Sequence, residues 1–126
     1  MKKKRAVIII NAYKEEAHLL AEDIKTFLVA ENWDVDFVEF SSSCEKAPFH
    51  SYDLAITLGG DGTVLFAARV CFENKIPIFP INLGEFGFIA GIQKESWKER
   101  LSLFLSEKLP FTARSMINVV AMRNNK

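Results

Sequence analysis

Two periodicities alternate along this chain. Val7-Ile8-Ile9-Ile10 is an unbroken β-branched run, the pattern of a strand covered on both faces of a parallel sheet, and its end at Asn11 predicts a loop. From Lys14 to Glu31, the positions Ala17, Leu20, Ile24, Phe27 and Leu28 recur at three- and four-residue steps, which predicts a helix with one apolar stripe. Trp33, Val35 and Phe37 alternate with Asp34 and Asp36, the period of a strand wet on one face. Ser41-Ser42-Ser43 and Pro48 mark the connection that follows. Leu54 to Leu58 reads as another buried strand and runs directly into Gly59-Gly60-Asp61-Gly62-Thr63. Val64 to Phe72 is apolar nearly all round, which predicts a buried helix with Thr63 at its N-cap. Ile76 to Ile81 predicts a strand in which Pro77 and Pro80 each remove a backbone donor, pointing to an edge or an irregular end. Asn82 to Gly91 is loop-like. Ser96 and Glu99 fit a capping box, and Trp97, Leu101, Phe104 and Leu105 keep helical spacing to about Ser106. Pro110 then breaks the chain, and Met116 to Met122 reads as a strand.

This order of strands and helices predicts an α/β fold with a doubly wound, mainly parallel, Rossmann-like sheet over residues 1–110. Such sheets bind ligands beyond the carboxyl ends of their strands. Residues 111–126 are expected to be the beginning of a second domain that has been cut off.

Composition narrows the function. The 126 residues are 49% hydrophobic and 25% charged, which suits one soluble domain with a real core and excludes disordered and fibrous classes. Sixteen basic residues balance sixteen acidic ones, but Lys2, Lys3, Lys4 and Arg5 supply four of the basic ones, leaving a body of 12 against 16, or −4. A net-acidic body without a basic stripe argues against a nucleic-acid partner, which needs clustered cations to displace counterions. The apolar run after the basic start is too short for a secretory leader, and nothing approaches the roughly 18 apolar residues of a membrane span. The expected location is cytoplasmic, with no membrane partner. Cys44 and Cys71 have no Cys or His neighbours at ligand spacing, so both are expected reduced, Cys71 inert in an apolar helix, and no metal-ligand set is assigned. His18 and His50 read as solvated surface rather than catalysts.

All six glycines fall between positions 59 and 91, at Gly59, Gly60, Gly62, Gly84, Gly87 and Gly91, in two segments that each follow a predicted strand. Glycine there provides bare backbone for close approach and access to positive φ, so that consecutive N–H groups can face a phosphate at a helix start. The P-loop pattern needs Gly-Lys-Ser/Thr and is absent; the dinucleotide fingerprint needs a glycine where Leu65 stands. What remains is a carboxylate among three glycines. Asp61 would repel phosphate unless a cation bridges them or the acid handles a proton, so it is a candidate general base toward a hydroxyl, a magnesium-shell ligand, or a helix cap.

Leu58-Gly59-Gly60-Asp61-Gly62-Thr63-Val64-Leu65 resembles the signature shared by NAD kinases, diacylglycerol-type lipid kinases and, with Ser for Thr, phosphofructokinases. The second segment, Pro77-Ile78-Phe79-Pro80-Ile81-Asn82-Leu83-Gly84-Glu85-Phe86-Gly87-Phe88-Ile89, resembles the Asn-x-Gly-x-x-Gly-Phe pattern of NAD kinases; the Pro-x-Gly-Thr-x-Asn-Asp of lipid kinases is not there. The resemblance covers the chain but only the first half of the family's architecture. Full members add a β-rich domain with an Asn-Glu or Asn-Asp motif, and neither pair occurs in these 126 residues.

The resemblance implies transfer of a phosphoryl group from ATP, or polyphosphate in some members, to the 2′-hydroxyl of the adenosine ribose of NAD, giving NADP. Magnesium or another divalent cation would screen the phosphates. Asp61 would accept the hydroxyl proton, Gly59, Gly60, Gly62 and Thr63 would form the phosphate-facing turn, and Leu65 and Phe88 would pack against an NAD base. Asn82 and Gly84 would shape the second turn or touch the ligand. Some members carry a basic residue five positions after the motif aspartate; Phe66 stands there and reads as core. A homo-oligomer is expected at full length. The competing functions are a non-catalytic nucleotide-binding or regulatory module of the same fold and a lipid kinase domain.

Overall fold

The computed structural model describes residues 3–11, 13–40, 51–83 and 91–106. Five strands form one all-parallel sheet in the order β2-β1-β3-β4-β5, as expected for the α/β class. The strands are β1 (Lys4–Asn11), β2 (Trp33–Phe40), β3 (Leu54–Gly59), β4 (Ile78–Asn82) and β5 (Ile92–Gln93); the helices are α1 (Glu15–Ala30), α2 (Asp61–Cys71) and α3 (Trp97–Leu105).

Period decides which face each residue covers. In β1, Ala6, Ile8 and Ile10 pack with α1 and α3 through Ala17, Ala21, Ile24, Leu28 and Leu101, while Val7 and Ile9 pack with α2 through Phe66, Ala67, Val70 and Cys71. Both faces are therefore covered, which is why the central strands read as continuous apolar runs. Phe66 is core, 2% exposed, as its neighbours suggested. Cys71 is buried and free, and burial pushes its thiol up to about 12.

The basic start is part of the sheet. Lys3 and Arg5 reach the acidic positions of the neighbouring strand, Lys3 Nζ to Asp34 Oδ1 at 3.3 Å and Arg5 Nη2 to Asp36 Oδ2 at 2.8 Å. Tyr52 donates to the same Asp36 oxygen at 2.7 Å, and the Arg5 guanidinium lies 4.9 Å from its ring centre. The alternation of Asp34 and Asp36 thus serves cross-strand pairing at the amino end of the sheet as well as solvation.

Three local expectations change. The cap of α2 is Gly60, not Thr63, which lies inside the first turn. Ser96 precedes α3 but makes no side-chain cap bond; a 3-10 turn, Lys94–Ser96, leads the chain in instead. Strand β4 is internal rather than an edge. Leu83 N–H bonds Gly59 and the Pro77 carbonyl accepts from Ala55, so odd positions of β4 face β3 and Pro80 faces the side where β5 pairs only Ile81 and Asn82. Its missing donor costs nothing to the β3 ladder. The structure also adds β5, a two-residue strand just past the Asn82–Gly91 stretch and too short to show a period in the sequence. The second-domain start at 111–126, the Met116–Met122 strand, Cys44 and His50 lie outside the described residues.

Candidate active site

The carboxyl ends of β1, β3 and β4 place Asn11, Gly59 and Asn82 side by side. Gly59 is the direct cross-strand partner of Asn82, and the Cβ of Asn11 lies 3.2 Å from where a Cβ on Gly59 would stand. Asn82, which leads into the second glycine segment, therefore stands beside Gly59 at the carboxyl edge of the sheet. Connections reverse direction between β1 and β3: α1 lies on one face and α2 on the other. Open α/β sheets place their ligand crevice at such a switch point, which here would lie between the β1–α1 turn and the Gly59–Asp61 turn.

The turn itself is built by glycine in two distinct ways. At Gly59, a side chain is forbidden by packing: a Cβ would run into Thr63 Oγ1 and sit 3.2 Å from Thr63 Cβ. At Gly60 and Gly62, a Cβ would meet nothing within 4 Å. Positive φ is not the reason at any of them, because no described glycine has it; Gly60 has φ −116°, open to any residue. The expected left-handed turn is replaced by extended backbone entering the helix directly. What Gly60 and Gly62 keep open is space against the backbone, where no atom of the described residues lies within 4 Å of an added Cβ.

Asp61 is the first residue of α2, in the first turn and half-buried, with Gly60 as the cap and no side-chain cap bond. Asp61 therefore does not occupy the N-cap position itself. Helix starts leave their leading N–H groups without helical acceptors and carry partial positive charge, so this turn suits an anion while the Asp61 carboxylate offsets part of that field. Thr63 is 1% exposed, and its hydroxyl has no hydrogen-bond partner. Thr57, 0% exposed, is the other described residue with such an atom, two positions before Gly59 on the same strand. Leu65 is half-buried between fully buried Val64 and Phe66, leaving part of its side chain uncovered at the helix surface. Asn82 is 5% exposed. Gly84 and Phe88 lie outside the described residues.

A family model, the ATP-NAD kinase N-terminal domain, matches residues 41–109, a span holding both glycine segments. The chain belongs to the NAD kinase family. Among curated relatives, a protein of Treponema denticola named NAD kinase is 38% identical over 124 residues, covering 98% of this chain and 44% of its own length. A NAD kinase of Treponema pallidum is 36% identical over 126 residues, covering 97% of this chain and 40% of its own. A Saccharomyces cerevisiae protein named ATP-NADH kinase is 35% identical over 94 residues, 75% of this chain and 18% of its own. The chain thus spans less than half the length of these NAD kinases. Among the described residues no helix is long and apolar enough to cross a membrane, and no group of three or more His, Cys, Asp or Glu could hold a metal ion.

The sequence did not mark Asn11 as part of the site. Its signal was available: a polar residue ending a buried β-branched strand sits at the sheet's carboxyl edge in any parallel α/β fold. His18 is also more engaged than a solvated histidine, with Nε2 3.0 Å from Glu39 Oε2 across to β2; that bond, with a further one to the Lys14 backbone, raises its pKa.

Proposed function

We propose that this chain is the nucleotide-binding half of an NAD kinase, a transferase that phosphorylates the 2′-hydroxyl of the adenosine ribose of NAD to give NADP. The observation that carries the reading is the turn at Gly60 and Gly62, bare backbone kept open beside a carboxylate at a helix start, where neither packing nor φ asks for glycine. Open space over N–H groups accommodates phosphate, and a carboxylate there serves a proton transfer.

In this reading the 2′-hydroxyl oxygen attacks the terminal phosphorus of ATP or polyphosphate. The bond from that phosphorus to its bridging oxygen breaks, the leaving phosphate keeps the electron pair, and Asp61 takes the hydroxyl proton. Such a transfer needs chiefly positioning and charge stabilisation, because the loose transition state asks for little covalent help. Gly60, Gly62 and Thr63 supply backbone and hydroxyl contacts to phosphate; Leu65, with Phe88 and Asn82, would hold the dinucleotide. A divalent cation fits the donor set: Mg²⁺ is commonly held by one or two carboxylates plus substrate phosphates, and Asp61 provides such a carboxylate without a protein cage. Its chemistry would be to neutralise charge on the donor.

The test is NADP formation by the complete gene product, given NAD with ATP or with polyphosphate and a divalent cation. Product phosphorylated at the 2′-position supports the reading. Binding of NAD without NADP from either donor favours the non-catalytic module instead.

A further inference from the structure

The glycine turn carries a carboxylate, and the only basic residue of α2 is Arg69, in its last turn at the opposite end. A polyphosphate chain drawn into the β1–β3 crevice must find its cation on another element. The other wall is the β1–α1 turn, which holds Asn11, Tyr13 and Lys14. Asn11 fixes that turn twice: its Oδ1 accepts the Tyr13 N–H at 2.9 Å, and its carbonyl accepts the Lys14 N–H at 3.1 Å. The same residue is in near contact with the Gly59 position.

Lys14 is half-buried, at the N-cap position of α1, and no carboxylate among the described residues lies within ion-pair distance of it. Lys94, which follows β5, pairs with Glu16 at 2.9 Å. Of the other described cations, Lys3 and Arg5 pair at the amino end of the sheet, and Lys4 and Lys25 lie over Trp33 and Phe37. In the glycine turn, Thr63 is 1% exposed and its hydroxyl, packed against Gly59, has no hydrogen-bond partner among the described residues.

We propose that Lys14, held in place by Asn11, binds the phosphate chain of the phosphoryl donor across the crevice from the Gly59–Thr63 turn. This rests on the kinase reading above and adds the donor-side cation to it. A lysine ammonium is a point charge suited to phosphate oxygens, and its contact is charge-assisted on both sides.

The experiment uses the complete gene product with Lys14→Met and Lys14→Arg, ATP and inorganic tripolyphosphate serving as alternative donors. Lys14→Met raises the donor KM by about 10-fold or more, leaves the KM for NAD within about 2-fold, and Lys14→Arg restores most of the loss. A rise with both donors places the contact on the shared phosphate chain; a rise with ATP alone supports the site and assigns it to a nucleoside triphosphate. Independently of turnover, tripolyphosphate raises the Tm of the parent protein more than that of Lys14→Met. An unchanged donor KM in Lys14→Met, or a rise confined to NAD, overturns the proposal while NADP formation by the parent leaves the kinase reading standing. A parent protein that makes no NADP removes both.

Discussion

The Thr63 hydroxyl stands where a Cβ on Gly59 would have to go, so the last residue of β3 and the first turn of α2 are locked together by the absence of one carbon. This close approach fixes where Gly60, Asp61 and Gly62 emerge, and it separates a glycine kept for packing from two kept for open space.

That separation is measurable. Gly59→Ala is expected to destabilise the fold by about 1–3 kcal/mol, the usual cost of overpacking, because Thr63 and Asn11 must both yield. Gly62→Ala puts a methyl into open space at a helical position and should leave stability unchanged or raise it by up to about 1 kcal/mol, while impairing NADP formation. Denaturant unfolding of the two variants gives the comparison; equal stability of Gly59→Ala and the parent would remove the packing role.

Thr63→Val deletes a buried hydroxyl that has no partner among the described residues while keeping the branched shape. Stability should stay the same or increase, since an unsatisfied buried polar atom is itself a cost. The donor KM should rise. Thr57→Val is the comparison, expected to match it in stability and to leave kinetics unchanged. A clear loss of stability in Thr63→Val would mean that its hydroxyl is satisfied within the fold.

His18 gives a pH signature. Its folded pKa lies above the ordinary 6.5, chiefly through the hydrogen bond to Glu39. A raised folded pKa means stabilisation that is fully present below 6.5 and is lost as pH rises through the folded value. NMR titration of the His18 ring should therefore show a pKa above 6.5 that falls back toward it in Glu39→Gln. The Tm difference between parent and Glu39→Gln should be larger below that range than above it; a pH-independent difference would contradict the pairing.

Cys71 should resist alkylation in the folded protein, because burial holds its thiol near 12 and leaves almost no thiolate at neutral pH. Peptide mapping after labelling at about pH 8 should find it unmodified under native conditions and modified after denaturation. Rapid native labelling at Cys71 would contradict its burial at the end of α2.

Much of this fold was legible because burial on both faces writes continuous apolar runs, as in Val7 to Ile10 and Leu54 to Leu58, and because α1 and α3 carry a single stripe. The sheet order was not legible, since register between parallel strands far apart in sequence leaves no local period. Caps were misjudged for a related reason: Thr63 and Ser96 have the chemistry of caps, yet tertiary packing placed Thr63 against Gly59 and a 3-10 turn ahead of Trp97. Pro77 and Pro80 suggest an edge or an irregular end for β4, whereas the strand is internal and its parity turns the missing donor of Pro80 away from β3. At the site, Gly59, Gly60, Asp61, Gly62 and Thr63 were readable from their spacing, and Asn82 is their strand neighbour. Asn11 carries no mark in the sequence of its place beside Gly59, since only the sheet order brings the β1–α1 turn there.

The central claim is that Asp61, first in α2 beside open backbone, takes the proton of a ribose hydroxyl. Its most direct test is steady-state kinetics of Asp61→Asn in the complete gene product, with NAD binding measured in parallel. The account predicts a kcat lower by roughly 10²-fold or more, the scale of general-base removal, with NAD affinity little changed. A kcat equal to that of the parent would contradict it.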